Sequence, residues 1–503
     1  MNRFLPFALW CLGTGALQAQ NALQRAGNHI GYEAEVQVSA SDGQSPLWLT
    51  ANKHGVSSVD GSNGHVRASL FRLASTDSLH KWRIGYGIDA FAAYNYTSKA
   101  RLQQLYADVE WRLVRLSIGA KEHPMQLKNS LLSSGNQTLG TNATPIPEVR
   151  LELPEYWSIT GHSNWAAIKG HIGYGMLTDG RFQQSYVQGS GFHYARHALY
   201  HSKAGYLRLG NAERFPLTLE GGLEMACQFG GTAYNVTTAQ DGLLSQPVKM
   251  GHGLKDFVDA TFGTGGDSTD GDAYANATGN TVGSWLLRLN YKGNGWGIAA
   301  YMDHYFEDHS QMFMQYGWKD GLYGVELHLP QNPVATTLVY EHIGTLDQSG
   351  PIYHDRTDAI PDQVSGRDNY YNHLIYAGWE HWGQAIGNPL FIAPLYRADG
   401  TLSFDDNRFT AHHVGVSGQP TGEWAYRVLY TYERSHGSYA KPLASKRSTH
   451  SALAEVTFTP QRIGHLDTRG WSLKAALGLD HGQLLGNHTG FQLTLSKRGW
   501  LVK

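Results

Sequence analysis

The stretch DHYFEDH (303–309) carries three acidic residues and two histidines, a density that could support acid–base chemistry. On a strand, Asp303, Tyr305 and Glu307 point to one face and Asp308 points to the other. Asp303 and Glu307 are then roughly 13 Å apart, at about 3.3 Å per residue. The two carboxyls of a glycosidase lie about 5–10 Å apart. We therefore predict polar residues that hydrogen-bond within the protein or contact a sugar, and no catalytic pair.

A second candidate site is the segment GRDNYYNHLIYAGWEHWG, which begins at Gly366. It combines aromatic rings, which stack on the C–H faces of sugars, with amide, carboxylate and guanidinium groups, which bind sugar hydroxyls. The alternative is that rings such as Tyr376 and Trp379 pack a plug or a membrane girdle. The predicted polysaccharide-binding residues are Asp303, Tyr305, Glu307, Arg367, Asp368, Tyr370, Tyr371, Asn372, Trp379, Trp382 and Arg408.

Other chemistry finds no support in the sequence. There is no G-x-S-x-G elbow, no Walker A loop and no H-E-x-x-H pair. His412 and His413 are adjacent, so on a strand they point to opposite faces and cannot chelate one ion together. We predict no metal, no cofactor and no enzymatic activity. A net charge of −2 also argues against nucleic acid as a partner.

The elements that position these residues are predicted to be strands. In ADVEWRLVRLSIGAKEH (107–123), apolar residues occupy odd positions up to Leu113 and even positions from Val114. Strict alternation indicates a strand with one apolar and one polar face. A change of phase that keeps the apolar face requires a reversal or a bulge. We predict two strands joined by a tight turn near 112–114.

The same alternation recurs along the chain, for example from Trp82 to Tyr94 and from Leu217 to Phe229, which places Cys227 on the apolar face. The chain has 59 glycines in 503 residues and 16% charged residues, whereas soluble domains have about 7% Gly and about 25% charged residues. Many of the runs span about 7–13 residues with aromatic ends, as transmembrane barrel strands do. A soluble sandwich shows similar alternation, but charged residues on the second face favour a polar lumen.

The first residues predict the compartment. MNRFLPFALWCLGTGALQA (1–19) has a basic start, an apolar stretch and a small residue at its end, which is typical of a secretory signal peptide. Residues 20–503 are then one all-β domain, a transmembrane antiparallel β-barrel of about 16–18 strands with long loops. A little helix is predicted, because apolar residues from Leu254 to Phe262 have helical spacing. The predicted location is the cell outer membrane.

Nearly the whole mature chain, in order, resembles capsule-assembly outer-membrane proteins of the Wzi-like family. The matching segments include YEAEVQVSASDGQSPLWLTANKHG (32–55), LEGGLEMACQFGG (219–231), YMDHYFEDHS (301–310) and NRFTAHHVGVSG (407–418). The resemblance implies a barrel of about 18 strands that acts as a lectin and helps to hold capsular polysaccharide at the cell surface. It implies no catalysis.

We therefore predict a non-catalytic, lectin-like protein that anchors or helps to assemble capsular polysaccharide. Its expected partners are capsular or other surface polysaccharide, outer-membrane lipid and the outer-membrane assembly machinery. One alternative is an outer-membrane porin or transport channel. A second is an outer-membrane enzyme that acts on lipid or glycan.

Overall fold

The predicted hairpin around residue 112 is present in the computed structural model. Strands Ala100–Trp111 and Val114–Ala120 pair antiparallel, with Val109 opposite Leu116. Arg112 has a φ of 57°, a left-handed conformation that lets the chain reverse within two residues. Ile118 is 52% exposed on the outer face, whereas Ser117 is 3% exposed on the inner face. The change of phase is therefore a tight turn between two strands that share one apolar face.

The structure describes residues 25–238, 242–243, 246–264, 279–307, 312, 319–330, 332–350, 358–359 and 366–502. The predicted signal peptide lies outside these residues. Within them, eighteen strands form one closed antiparallel sheet, in which each strand pairs with the next along the chain and the last pairs with the first. The strands are β1 Ile30–Ser41, β2 Ser62–Arg72, β3 Trp82–Tyr94, β4 Ala100–Trp111, β5 Val114–Ala120, β6 Glu148–Ser158, β7 Ala166–Met176, β8 Leu199–Leu209, β9 Leu217–Phe229, β10 Asn280–Lys292, β11 Gly297–Glu307, β12 Gly321–His328, β13 Thr337–Gly344, β14 Phe409–Gly418, β15 Trp424–Gly437, β16 Pro442–Phe458, β17 Trp471–Gly482 and β18 Gly486–Val502.

The two rims of the barrel differ in the length of their connections. Short turns such as 112–113 lie at one rim, together with the first residue of β1 and the last of β18. Long connections, among them 42–61 and 121–147, lie at the other rim. In outer-membrane barrels the short turns face the periplasm and the long loops face outward. The protein is accordingly an outer-membrane β-barrel, as the alternation and the polar inner face predict.

Three long connections fold back into the outer half of the lumen, and together we call them the plug: residues 42–61, 121–147 and 366–408. Leu47, Trp48, Leu132, Tyr371 and Phe391 of the plug are buried in one apolar cluster with inward side chains of the strands. This packing explains why segments that leave the barrel contain so many aromatic residues.

The helical segments are short. They are α1 Leu47–Thr50, α2 Gly180–Tyr186 and α3 Leu254–Phe262, with 3-10 turns at Ala74–Asp77, Gly161–Ser163 and Pro394–Tyr396. The helix predicted from Leu254 to Phe262 is confirmed. Among the described residues, no helix has both the length and the apolar character needed to cross a membrane.

Helix α3 corrects the predicted environment of Cys227. Cys227 was expected on the lipid-facing side of β9, but it is completely buried. Ala260 of α3 is buried in the same small cluster as Cys227 and Phe229, and Phe257 packs against that cluster. The helix therefore lies on the outer end of β9 and covers it. Alternation alone could not predict this cover, because it does not show that the helix, which lies in the long connection after β9, folds back onto that strand.

Short strand pairs complete the connections. Tyr194–Arg196, Thr232–Tyr234 and Val248–Lys249 form a small three-stranded sheet. The remaining two-stranded pairs are Thr237–Thr238 with Gly242–Leu243, Glu380–His381 with Gln384–Ala385, and Arg462–Ile463 with Leu466–Asp467.

Candidate functional site

The acidic residues of β11 attach the wall of the barrel to the plug. Asp303 is completely buried and forms an ion pair with Lys128. It also accepts a hydrogen bond from the backbone N–H of Gln137 at 3.0 Å, and the Gln137 side-chain amide donates to the Asp303 carbonyl at 2.6 Å. A charge buried this deeply is tolerated because a cation and an N–H group compensate it. Asp303 is thus part of an anchor for the plug segment 121–147.

Tyr305 and Glu307, which share the inner face with Asp303 as predicted, hold the plug segment 366–408. The Tyr305 hydroxyl donates to Glu307 at 2.6 Å, and the backbone N–H of Tyr371 donates to the same carboxylate oxygen at 2.6 Å. Tyr371 then joins the two segments, because its hydroxyl donates to the Gln137 carbonyl and accepts from the Asn388 N–H at 2.9 Å. These predicted site residues therefore form one hydrogen-bonded network inside the barrel.

Glu341 on β13 is a further anchor that the sequence analysis missed. Its carboxylate accepts hydrogen bonds from the Ser133 hydroxyl at 2.6 Å, the Ser134 N–H at 2.8 Å, the Ser134 hydroxyl at 2.6 Å and the Tyr301 hydroxyl at 2.7 Å. The side chain is fully buried. The surrounding run TLVYEHIG reads as an ordinary barrel strand, so nothing in it distinguishes Glu341 from other lumenal acids.

The aromatic rings Tyr370, Tyr371 and Trp379 are all completely buried. Tyr371 stacks on Phe391 with ring centres 3.8 Å apart, and Tyr370 meets Tyr305 edge to face at 4.8 Å. The Trp379 indole N–H donates to the Thr138 carbonyl at 3.0 Å. The structure thus places these rings in the plug, where they offer no exposed face. Their contact with a sugar stays a prediction that requires the plug to open.

A different part of the same segment reaches the outer surface. Arg367 is exposed. Two guanidinium groups lie over the ring of Tyr439: the guanidinium carbon of Arg408 is 3.7 Å from the ring centre, and the guanidinium carbon of Arg367 is 5.8 Å from it. Asp368 accepts a hydrogen bond from the Ser349 hydroxyl at 2.5 Å. We call Arg367, Asp368, Arg408 and Tyr439 the rim cluster. Tyr439 was not predicted, because it lies in a four-residue turn after β15 and no pattern marks it.

Trp382 lies in a second, partly exposed group of aromatic residues. Its ring stacks on Phe182 of α2 with centres 5.7 Å apart, and the Arg101 guanidinium carbon is 4.9 Å from it. Phe182 in turn contacts Tyr186 at 5.5 Å. We call Phe182, Tyr186, Trp382 and Arg101 the Trp382 cluster. A half-exposed aromatic ring beside a guanidinium has the chemistry to stack on a sugar and bind its hydroxyls.

A buried pair of carboxyl groups, those of Asp179 and Glu380, holds the backbone around Trp382 in place. Asp179, just before α2, accepts from the Trp382 backbone N–H at 2.9 Å, while Glu380 accepts from the Gly383 N–H at 2.6 Å. Gln183 donates to both carboxyls, at 3.1 and 2.7 Å. Burial raises the pKa of Glu380 well above its ordinary range, and the neighbouring Asp179 carboxylate raises it further.

The remaining predicted residue, Asn372, has a structural role. Its side-chain amide donates to the carbonyl of Phe404 at 3.0 Å and accepts from the Phe404 N–H at 2.8 Å. His412 and His413 point to opposite faces, as predicted: His412 contacts Tyr340 outside, and His413 contacts Thr431 inside. In the part of the chain that the structure describes, no group of three or more His, Cys, Asp or Glu side chains could hold a metal ion.

The fold and these contacts define an outer-membrane barrel whose outer half holds three of its own loop segments, packed against the wall. No protein-family model matches the chain, and no curated sequence matches it. Among solved structures, the chain is similar to Wzi of Escherichia coli, described as an outer-membrane protein involved in group 1 capsule assembly and a carbohydrate-binding β-barrel. The TM-score is 0.55 at 12% identity, covering 95% of this chain and 86% of Wzi.

Two porins of Pseudomonas aeruginosa are more distant. OccD3 (OpdP) has a TM-score of 0.45 at 10% identity, covering 94% of this chain and 92% of its own. OprD has a TM-score of 0.45 at 10% identity, and the match covers 95% of this chain and 96% of OprD. At 12% identity the likeness to Wzi shows the fold alone, and the porin scores are too low to carry a functional conclusion.

Proposed function

We propose that this protein is a plugged, non-catalytic outer-membrane barrel that binds capsular or other surface polysaccharide at its outward-facing rim. One observation carries the proposal: residues 121–147 and 366–408 fill the outer lumen with buried rings and buried, compensated carboxylates. Such a plug opposes passage of solutes and leaves the outer surface as the place where a ligand can bind.

The surface that remains accessible suits a glycan. The Trp382 cluster offers half-exposed rings, and the rim cluster offers two guanidinium groups around Tyr439. Rings and planar donors are the groups that bind sugar faces and hydroxyls. The carbohydrate binding described for Wzi, whose fold is similar, agrees with this assignment. Within the proposal the partners are surface polysaccharide, outer-membrane lipid and the assembly machinery, and no nucleic acid or cofactor takes part.

The absence of catalysis is also part of the proposal. Asp303 and Glu341, two of the lumenal acids that face the plug, are buried and already bonded to plug donors. An acid that catalyses glycan hydrolysis must reach its substrate.

The experiment is retention of purified capsular polysaccharide from the host by the folded protein in detergent. We expect saturable binding, weakened about tenfold by Trp382→Ala because one stacked ring is worth roughly 1.4 kcal/mol. Trp165→Ala is the matched control, since Trp165 is a partly exposed tryptophan in a turn at the opposite rim. Binding that both variants leave unchanged, or no binding at all, contradicts the proposal.

A porin is the second candidate, and one observation favours it. A cavity of about 260 Å³ lies in the lumen against the plug segment 139–146, lined by charged side chains that include Arg115, Arg150 and Glu152. Charged lumenal walls are typical of water-filled channels. Stepwise ion conductance by the wild-type protein in planar bilayers, together with a lack of glycan preference, would support this alternative.

A further inference from the structure

The outer wall of strands β13 to β17 carries a row of imidazoles in direct register. His342 is opposite His412, His412 is opposite Tyr432, Tyr432 is opposite His450, and His450 is opposite His481. Thr431 and Glu433, which flank Tyr432, are buried toward the lumen, so Tyr432 faces outward. The row therefore runs around the outside of the barrel, across the strands, in the half that carries the long loops.

Cations lie directly beyond this row. Arg434 is two residues past Tyr432 on the same face of β15, and it is exposed. His436 follows on β15, and Lys446 is exposed on the neighbouring β16. The charged groups that act on His436 are Lys446, Arg408 and Arg434, all of them cations. We call Arg434, His436 and Lys446, together with the imidazole row, the outer-wall strip.

No carboxylate in the part of the chain that the structure describes forms an ion pair with the two exposed cations of the strip. Among the described residues, Arg434 and Lys446 form no ion pair, whereas lumenal arginines such as Arg67 and Arg115 each pair with carboxylates. Two acids on this rim are already engaged. Asp405 pairs with Arg397 and Lys441, and Asp406 accepts a hydrogen bond from Ser435. The strip is thus suited to an anion from outside the protein.

The height of the strip identifies the kind of anion. Just below the imidazoles lie Tyr340 and Tyr430, whose hydroxyls are 2.9 and 2.8 Å from the Nδ1 atoms of His412 and His450. Val414 lies in register between the two tyrosines, and Val428 is a further exposed apolar side chain two residues below Tyr430 on the same face. Belts of tyrosine mark the level of the lipid headgroups, with acyl chains beside the apolar residues. Groups immediately beyond the tyrosines therefore face headgroup phosphates.

We propose that the outer-wall strip binds the phosphorylated headgroup of an outer-leaflet glycolipid. The phosphate contacts Arg434 and Lys446, the imidazoles supply further hydrogen bonds, and the acyl chains lie on the apolar belt below. This site is on the outer wall of the barrel and adjoins the rim cluster at Arg408, but Arg434 and Lys446, which carry the proposal, belong to neither polysaccharide-binding cluster.

The test is a titration of the folded, full-length protein in neutral detergent with diphosphorylated lipid A, followed by native mass spectrometry. Arg434→Gln/Lys446→Gln is expected to weaken binding about 25-fold, since each charge near a phosphate surface contributes roughly fivefold. Lys81→Gln/Arg462→Gln removes two exposed charges from turns at the opposite rim and is the matched control. Loss of less than twofold in the first variant, or an equal loss in the control, overturns the proposal.

Two further binding measurements distinguish a lipid phosphate from free phosphate as the anion that the strip binds. Lipid A without phosphates is expected to bind the wild-type protein no better than phosphatidylcholine does. Inorganic phosphate is expected to compete only weakly, because it lacks the acyl chains. Full displacement by millimolar phosphate overturns the lipid assignment in favour of a free-phosphate site. If the double variant instead loses affinity for dextran sulfate and keeps its affinity for lipid A, the strip is a polysaccharide site and the proposal fails.

Discussion

Tyr371 and Trp382 belong to one aromatic-rich segment, yet the barrel uses them in opposite ways. Tyr371 is completely buried, stacked on Phe391 and hydrogen-bonded to Gln137 and Asn388 in two of the three plug segments. Trp382 is half-exposed, and its ring is supported by Phe182 while its backbone is held by Asp179. The first residue closes the lumen, and the second presents a ring to the outside.

This difference shows that aromatic and polar residues together do not by themselves mark a binding site. A plug must fill a polar lumen, so it needs rings for volume and hydrogen-bonding groups to compensate lumenal charges. A glycan site needs the same two kinds of group. The position relative to the strands, and not the composition, separates the two uses.

The largest effect that tests this comparison is expected from Trp379→Ala. Removal of a fully buried tryptophan costs about 3–5 kcal/mol, and the loss falls on the plug because the ring contacts plug and wall only. We expect hydrogen exchange to accelerate in residues 121–147 and 366–390, while the heat-modifiable gel band of the folded barrel is retained. Unchanged exchange would show that Trp379 does not hold the plug.

A smaller effect is expected from Glu341→Gln. The substitution keeps the shape but removes the charge that strengthens four hydrogen bonds, for a loss of about 2 kcal/mol. Exchange should accelerate around Ser133 and Ser134 and remain slow around Trp382. Glu110→Gln is the control, because Glu110 is a buried lumenal acid of β4 that pairs with Arg83 and Arg115 of the barrel wall. Equal acceleration around Trp382 would contradict the separation of the two regions.

Arg408→Gln tests the exposed side of the comparison. The guanidinium stacks on Tyr439, and such contacts are worth about 0.5–1 kcal/mol at exposed sites. We expect polysaccharide affinity to fall about two- to fivefold and hydrogen exchange in the plug to stay the same. Arg408→Lys should recover only part of the affinity, because lysine keeps the charge without the planar group. Full recovery by lysine would assign the effect to charge alone.

The smallest change is expected from Glu380→Gln at low pH. Burial and the neighbouring Asp179 carboxylate raise the pKa of Glu380, which favours its neutral form in the folded protein at low pH, so glutamine should alter the unfolding free energy there by less than about 1 kcal/mol. As pH rises above the ordinary pKa, the unfolded state ionises first and the wild-type protein loses stability. The Glu380→Gln variant should lose less stability over the same rise in pH. Parallel pH profiles for both proteins would contradict the raised pKa.

Much of the fold could be predicted from the sequence, because membrane strands alternate apolar residues that face lipid with polar residues that face the lumen. The phase change at 112–114, the helix from Leu254 to Phe262 and a strand number near eighteen were all predictable from periodicity and length. The environment of Cys227 was not, because no period in the sequence shows that α3, in the connection after β9, folds back over that strand. The sequence also could not show that Tyr370 is buried while Arg367 is exposed. Both residues lie in one irregular segment, and no periodicity predicts the path of that segment through the barrel.

The most direct test of the account is the conductance of the wild-type barrel in planar bilayers, with Trp379→Ala measured beside it. A lumen closed by the plug predicts no steady single-channel current from the wild-type protein. It also predicts new current steps from the variant, which would show that insertion succeeded. Steady open-channel steps from the wild-type protein, unchanged in the variant, would contradict the sealed barrel and identify the protein as a porin.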